Sequence, residues 1–295
     1  MSAFKTILAP MADALTGAVP LETSMRLAAR YSGHVIALHV RSDPVTEVPL
    51  MIGESMGGAG ALVDELISVA KSQGNLQAKE ARSAFDNACA RHGAAILTSP
   101  QTSGLSAEWI DLVGREDEVT AIRGRLSDLV VLGRPEDGDI ESPAMATLQT
   151  VLMACGKPIL LCPAEQPQSL GSRVGIAWNG SAEAARAVSC ALPLLRDAVA
   201  VSILTTTENI DHQQAHAQAK ELAAHLTWYG VSVSNRVSQA THSHVGEELL
   251  RQAASCEIDL LVMGANAHSR LHDLFLGSVT RNVISNAPIN VLMCH

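Results

Sequence analysis

Two short segments near the end of the chain have the residue types and spacing needed to hold a phosphate group. Gly264 ends an apolar run and lets backbone approach a ligand closely. The run Gly277–Thr280, G-S-V-T, then opens a helix pattern whose first backbone N–H groups favour an anion. The hydroxyls of Ser278 and Thr280 can add hydrogen bonds. Together the two segments predict a phosphate-type binding site.

The elements that must position these segments alternate between strand and helix patterns. Apolar runs predict strands at Val174–Trp178, Ile258–Met263 and Ile289–Met293. Helix patterns lie between them, including Ser181–Leu195 and Val279–Asn286. Such alternation predicts a doubly wound parallel sheet, in which ligands bind beyond the carboxyl ends of the strands.

The chain repeats this organisation once, so the site has a counterpart in the first half. The segment D-L-V-V-L-G from Asp128 parallels D-L-L-V-M-G from Asp259. The expected fold is therefore α/β, with two tandem doubly wound five-stranded parallel-sheet domains. We place them at residues 1–164 and 172–295, joined by a Pro/Gln/Ser-rich linker at Pro163–Ser172.

Three stretches of the second half carry a family resemblance. The segment G-A-N-A-H-S-R-L-H-D-L-F-L-G-S resembles the signature G-x-x-G-x(9)-G-[S/T] of the universal stress protein family, with Ala267 in place of the second glycine. The segments I-A-W-N-G-S and V-L-M-C-H are also similar to that family. The resemblance implies an adenine nucleotide alpha hydrolase-like fold and a C-terminal site for ATP, ADP or AMP, with Mg²⁺ as an optional companion.

The resemblance also implies a role for each matching position. It places the nucleoside beside residues 177–179, the adenosine beside Met263 and Gly264, and the phosphates at residues 277–280. Family members that bind ATP commonly have an acidic residue near Asn179, where an asparagine can still hydrogen-bond a hydroxyl. The implied nucleotide-binding residues are Ala177, Trp178, Asn179, Met263, Gly264, Ala267, His268, Arg270, Gly277, Ser278, Val279 and Thr280.

The first half has the same spacing with different chemistry. Gly133 and Ala146 are separated as Gly264 and Gly277 are. Between the first two, however, Pro135 removes a donor and Glu136 places a negative charge where phosphate would sit. We therefore expect a degenerate N-terminal site that binds no triphosphate.

The bulk composition excludes several partners and compartments. A net charge of −9 argues against nucleic acid and against anionic lipid. The early apolar run Ile7–Pro10 predicts a first strand rather than a signal peptide. None of the six cysteines forms a C-x-x-C pair, which indicates buried thiols in a reducing, cytoplasmic compartment.

Other motifs are weaker. The Gly53–Gly60 stretch lacks the ending of a P-loop and is interpreted as a loop. The pairs His242/His244 and His268/His272 could hold zinc only if a third ligand converged on them, so no metal site is predicted.

Three hypotheses for function follow. The first is a stress-response protein that binds an adenine nucleotide in its C-terminal domain, with no catalytic residues assigned and at most slow hydrolysis. The second is an interaction or scaffold module of the same fold that holds no nucleotide. The third, an adenylating ligase-like enzyme, needs an S-G-G-x-D-S-like loop, which neither Pro10–Asp13 nor Asn179–Glu183 supplies. Pairing of the edge strands near Pro163 and His295 predicts an intramolecular pseudo-dimer, and two chains could assemble further into a homodimer.

Overall fold

The computed structural model describes residues 4–45, 60–99, 103–135, 142–165, 167–207, 212–239, 244–265, 267–270 and 273–295. Within them, 11 strands form one continuous sheet in the order β3-β4-β2-β1-β5-β6-β13-β10-β7-β8-β9. The predicted α/β fold class is confirmed, but the two expected five-stranded sheets are joined into one.

The N-terminal half alternates strands and helices in the predicted way. It also contains a two-residue strand, β3, that comes before the longer strand β4 in the chain. The strands are β1 (Thr6–Pro10), β2 (His34–Arg41), β3 (Ala95–Ile96), β4 (Ser106–Val113), β5 (Leu129–Gly133) and β6 (Ile159–Cys162). The helices are α1 (Ala18–Tyr31), α2 (Gly60–His92), α3 (Glu116–Gly124) and α4 (Pro143–Ala154).

The C-terminal half repeats the order and adds a small hairpin, β11–β12. The hairpin occupies the spacer that the sequence left without secondary structure. The strands are β7 (Arg173–Ala177), β8 (Ala200–Thr207), β9 (Val233–Gln239), β10 (Leu260–Gly264), β11 (Ala267–Arg270), β12 (Asp273–Leu276) and β13 (Asn290–Cys294). The helices are α5 (Ala182–Asp197), α6 (His212–Thr227), α7 (Val245–Ser255) and α8 (Ser278–Asn286).

The two halves meet at β6 and β13, the edge strands that the sequence predicted to pair. Val291, Leu292 and Met293 lie opposite Leu161, Leu160 and Ile159 in an antiparallel ladder. The other neighbouring strands of this sheet pair in parallel. The central strands β1, β5, β6, β10 and β13 are covered on both faces, and their sequences are continuous apolar runs rather than alternating ones.

Each face of the sheet carries one apolar core that crosses this junction. On one face, Phe85 of α2 and Leu194 of α5 belong to the same cluster of buried side chains. On the other face, Leu148 of α4 and Val283 of α8 share a second cluster. The halves are thus joined by packing on both faces as well as by backbone hydrogen bonds.

An aspartate fixes the start of the first strand in each half. The Asp128 carboxylate accepts hydrogen bonds from the backbone N–H groups of Lys5 and Thr6, at 2.8 and 3.0 Å. Asp259 accepts from Ser172 and Arg173 in the same way, at 3.0 and 3.1 Å. The two aspartates that begin the repeated segments therefore have the same structural role.

Candidate functional site

The carboxyl ends of β7 and β10 lie side by side and form the floor of the candidate site. β10 pairs in parallel with both β7 and β13, and Met263 lies opposite Ala177. Because parallel strands end at the same edge, the segments after Ala177 and Gly264 emerge together. This edge is where the sequence placed the ligand.

Helix α8 presents its N-terminus at the same edge. Its N-cap is Gly277, with φ −58° and ψ 155°, and no side chain caps the first turn. The first intrahelical hydrogen bond runs from Arg281 N to Gly277 O, at 2.9 Å. The N–H groups of Ser278, Val279 and Thr280 therefore have no intrahelical acceptor, and the helix dipole makes this end favourable for an anion.

A cavity of about 420 Å³ lies between these strand ends and the helix. Nine of the predicted site residues line it: Ala177, Trp178, Asn179, Met263, Gly264, Gly277, Ser278, Val279 and Thr280. The structure thus brings these nine residues together from segments as far apart in the chain as β7 and α8.

Trp178 lines the cavity and carries a buried polar group without a partner among the described residues. Its backbone N–H donates to Leu204 O at 2.9 Å, which fixes the residue at the strand end. Its indole Nε1 is buried and has no hydrogen-bond partner among the described residues. A buried N–H without an acceptor is costly.

The acceptor of Asn179 is already engaged by the protein. Its Oδ1 accepts from Ser181 N at 3.1 Å, and the Ser181 hydroxyl accepts from Ala184 N at 3.1 Å. Ser181 is thus the N-cap of α5. The side-chain amide N–H group of Asn179 is the group that remains for a ligand hydroxyl.

Gly264 is small for a reason that the sequence did not reveal. A Cβ placed on it would lie 2.5 Å from Ala184 N and 2.7 Å from the carbonyl carbon of Glu183. The first turn of α5 therefore packs directly on Gly264. We had assigned the glycine to close approach of a ligand, but the group that approaches its α-carbon is the helix.

Three predicted residues lie on the hairpin rather than on the described cavity wall. Ala267, His268 and Arg270 all belong to β11, which pairs with β12. Their side chains are outside the described part of the structure, as is the whole of His272. Their contribution to the site stays a prediction.

Four cavity residues were missed by sequence reasoning. Leu204 and Thr206 come from the end of β8, and Val245 and Leu249 come from α7. The signal was present, since β8 is the next strand in the half and its end must lie beside that of β7. Val245 and Leu249 are spaced i, i+4 on one face of their helix.

Helix α7 is held over the cavity by a buried glutamine. Gln252 Nε2 donates to Thr206 Oγ1 at 3.1 Å and also to Ser238 Oγ. These bonds tie α7 to β8 and β9. The apolar wall formed by Val245 and Leu249 is positioned through them.

The N-terminal half has its own cavity at the corresponding place, of about 630 Å³. Its wall includes the charged residues Asp13, Glu116 and Arg134. The pKa of Glu116 is raised, chiefly by burial and then by the negative charges of Asp117 and Asp13. The pKa of Arg134 is lowered by burial. This wall therefore sets two carboxyl groups beside one arginine, whereas the residues that line the C-terminal cavity carry no charged side chain.

The helix that borders this second cavity corrects one expectation. Counting from Gly133 predicted that Ala146 would stand where Gly277 stands, at the N-terminus. Instead α4 begins at Pro143, and its N-cap Ser142 accepts from Met145 N at 3.2 Å. Ser-Pro is a strong helix start, so the helix begins earlier than the count predicted. In its first turn Pro143 has no backbone N–H, and the N–H of Met145 is already bonded to Ser142. Glu136, the other residue singled out, lies outside the described residues.

The remaining candidates have local roles where they are described. His244 contacts Glu247 at 3.0 Å, the local polar contact expected of it, whereas His242 and residues 46–59 lie outside the described part. The described part of the chain contains no helix with the length and apolar character required to cross a bilayer.

These features define a doubly wound α/β protein with a binding cavity at the carboxyl ends of its C-terminal strands. Residues 172–295 match the model of the Universal stress protein family. Universal stress protein Slr1230 of Synechocystis sp. is 25% identical over 274 residues, which cover 90% of this chain and 91% of that protein. Residues 172–295 thus match the universal stress protein family, and the chain as a whole is similar to a protein of that family.

Solved structures extend the likeness over both halves. A universal stress protein from Archaeoglobus fulgidus superposes with a TM-score of 0.68 at 15% identity, covering 98% of this chain and 97% of the other. A functionally unknown protein from Pseudomonas aeruginosa PAO1 gives a TM-score of 0.57 at 14% identity, with 99% and 93% covered. At these identities the likeness concerns the fold.

Proposed function

We propose that the C-terminal cavity binds an adenine nucleotide, ATP, ADP or AMP, and that the protein acts in a stress response through this binding. The observation that carries the proposal is the uncapped N-terminus of α8, which faces a cavity at the strand ends. The amides of Ser278–Thr280 would receive the phosphates, as anions are held at helix N-termini elsewhere. The indole of Trp178 and the apolar wall from Leu204, Val245 and Leu249 would receive the nucleoside.

The groups described in this wall are amides, hydroxyls and apolar side chains, which recognise a ligand. We therefore propose binding with at most slow hydrolysis, with Mg²⁺ as an optional companion of the phosphates. Phosphate release from ATP, with and without Mg²⁺, measures the turnover. A rate typical of a dedicated ATPase would contradict this part of the proposal.

The binding itself is tested by two substitutions at the first residue of α8. Ser278→Pro removes one backbone N–H from the site, at the helix position that best tolerates proline. The ψ of 155° at Gly277 suits a residue before proline, so the fold should be kept. Ser278→Ala is the matched control, since it removes the hydroxyl and keeps the N–H.

We expect calorimetric titration to show ATP binding weakened about 10- to 100-fold by Ser278→Pro, the loss of one charge-assisted hydrogen bond. Ser278→Ala should change the affinity much less. Mass spectrometry of protein purified without added nucleotide identifies any nucleotide that is retained. Equal affinity in the two variants would mean that the amide row does not hold the ligand.

The second candidate is an interaction module that holds no nucleotide. It is favoured by Asn179, whose acceptor is used within the protein. In that case no nucleotide would copurify, and saturating ATP would leave the thermal unfolding midpoint unchanged. A ligand present at 100 times its Kd instead adds about 2.7 kcal/mol to the stability.

A further inference from the structure

Two cysteines of the C-terminal half lie in contact with each other. Cys190 is on α5, and Cys294 is the last residue of β13, on which α5 packs. Both side chains pack in the same apolar cluster, and each thiol is the largest influence on the pKa of the other, so the two sulfurs lie close together. Cys190 is partly exposed, whereas the other five cysteines are buried, and all six are free thiols. The pair therefore combines a reachable sulfur with a buried partner.

The surroundings of Cys190 favour its thiolate. Hydrogen bonding from Cys294 lowers the pKa of Cys190 to about 7 against the opposing effect of burial, and the charges of Lys157 and Arg186 lower it further. The pKa of Cys294 is raised by the same contact and by burial. Cys294 S–H thus donates to the Cys190 sulfur, and the nucleophile is the more exposed member of the pair.

We propose that Cys190 and Cys294 are a peroxide-oxidisable pair that closes to an intramolecular disulfide. The Cys190 thiolate attacks one oxygen of hydrogen peroxide, the O–O bond breaks, and the released hydroxide takes a proton to become water. Cys294 sulfur then attacks the Cys190 sulfenic acid, the S–O bond breaks, and the departing hydroxide leaves as water with the Cys294 proton. Two thiols are oxidised and one peroxide is reduced to two waters.

The N-terminal half provides a natural comparison. Cys162 ends β6 and lies beside Gly133, just as Cys294 ends β13 beside Gly264. Its hydrogen-bond partner is Thr23, which follows the end of β1 by the same number of residues as Cys190 follows the end of β7. The repeat thus places a hydroxyl where the second half has a thiol, and burial raises the pKa of Cys162 to about 12.

The other thiols should remain reduced under mild treatment. Burial raises the pKa of Cys89 to about 11, and it also raises that of Cys155. Buried thiols in apolar surroundings react slowly, because the thiolate is the reactive form. Selectivity for one pair among six cysteines is therefore the signature of the proposed chemistry.

The full chain is treated with hydrogen peroxide, alkylated, digested without reductant and mapped by mass spectrometry. We expect one cross-linked peptide that joins Cys190 to Cys294, with a loss of about 2 Da that reductant reverses. In the untreated protein, brief iodoacetamide should label Cys190 first. Scattered cross-links, links between chains, or a Cys190 no more reactive than Cys89 would each overturn the proposal.

Two variants separate the steps. Cys294→Ser removes the resolving thiol, so Cys190 should accumulate as a sulfenic acid that dimedone traps. Cys190→Ser should leave Cys294 reduced, and Cys162→Ser, the matched buried position, should leave the cross-link unchanged. If Cys294 of the Cys190→Ser variant were still oxidised and cross-linked to another cysteine, Cys190 would not be the nucleophile. If a variant fails to fold, the labelling order and cross-link of the unsubstituted chain decide alone.

Discussion

At the scale of single residues, Gly264 and its counterpart Gly133 show how one position is constrained differently in the two halves. The first turn of α5 presses on Gly264, with Ala184 N at 2.5 Å from a virtual Cβ. At Gly133 the nearest atom is Thr16 O, at 3.3 Å. The same residue type therefore fills a tight contact in one half and a looser one in the other.

We expect Gly264→Ala to destabilise the protein by about 1–3 kcal/mol, because the added methyl displaces backbone rather than a flexible side chain. It should also lower the affinity for any ligand that binds in the C-terminal cavity, because Gly264 lines that cavity. Gly133→Ala is the matched control and should cost less. Urea unfolding of both variants measures the difference, and equal losses would contradict the assigned contact.

Sequence reasoning was most reliable for residues fixed by backbone chemistry. A glycine before a helix start and a polar residue after a strand mark their positions through local rules, so Gly277 and Asn179 were found. Leu204 and Leu249 are ordinary apolar residues whose role depends on which elements become neighbours. Nothing in their own type distinguishes them from core residues.

At the scale of elements, α7 depends on one buried side chain for its position over the cavity. Gln252 is 5% exposed and bonds to two strands as well as lying within reach of Glu248. We expect Gln252→Ala to destabilise the protein by about 1–3 kcal/mol, since it removes the hydrogen bonds that this buried side chain donates to the part-buried hydroxyls of Thr206 and Ser238. Hydrogen exchange should show faster opening of α7 than of α8, and unchanged α7 protection would contradict this.

A salt bridge on the same helix gives a pH dependence. Arg251 binds Glu248 through two hydrogen bonds of 2.7 Å, and this interaction, against the opposing effect of burial, lowers the pKa of Glu248 to about 2 from an ordinary 4.5. Because the folded pKa is the lower one, the stabilisation is present above pH 4.5 and is lost as pH falls towards 2.

We therefore expect Glu248→Gln to be less stable than the unsubstituted chain at pH 7, with the gap closing near pH 2–3. The gap should be at most about 1 kcal/mol, because Arg251 is largely exposed and solvent screens the pair. Denaturant unfolding at several pH values measures it. A gap that is constant with pH would exclude the Glu248 charge as the cause.

Two elements escaped sequence prediction for different reasons. The hairpin β11–β12 was hidden because its residues follow no clear alternation and its pairing is fixed by tertiary context. The early start of α4 was readable in Ser142-Pro143, but the repeat spacing was given more weight than the local helix signal. Counting residues along the repeat therefore predicts where an element lies in the second copy, but it does not predict the residue at which that element begins.

At the scale of the whole molecule, the repeat predicted that both halves alternate strands and helices in the same way and that their edge strands pair. It did not reveal that both apolar cores would cross the junction. Polar contacts follow the same seam: Arg30 lies 3.0 Å from Asp197, and Arg26 donates to Pro167 O and Gln168 O. Such packing depends on side chains from distant segments, which no local pattern specifies.

The domain limits, 1–164 and 172–295, stay a prediction that the junction makes testable. Expressed alone, residues 172–295 would expose the β13 edge and the apolar surface beside it. We expect this fragment to be a dimer by light scattering, with a second β13 in the place of β6. Added residues 1–164 should convert it to a one-to-one complex, and a stable monomer would contradict the prediction.

Because each apolar core contains residues of both halves, we expect the two halves to unfold together. Phe85 and Leu194 belong to one cluster of buried side chains, so unfolding of either half disrupts the core of both. The binding free energy of a ligand in the C-terminal half therefore adds to the free energy of unfolding of the N-terminal half as well. A small molecule bound near Gly277 should therefore slow amide exchange around Phe85, on the far side of the seam. The N-terminal half would then open more slowly when the C-terminal cavity is occupied.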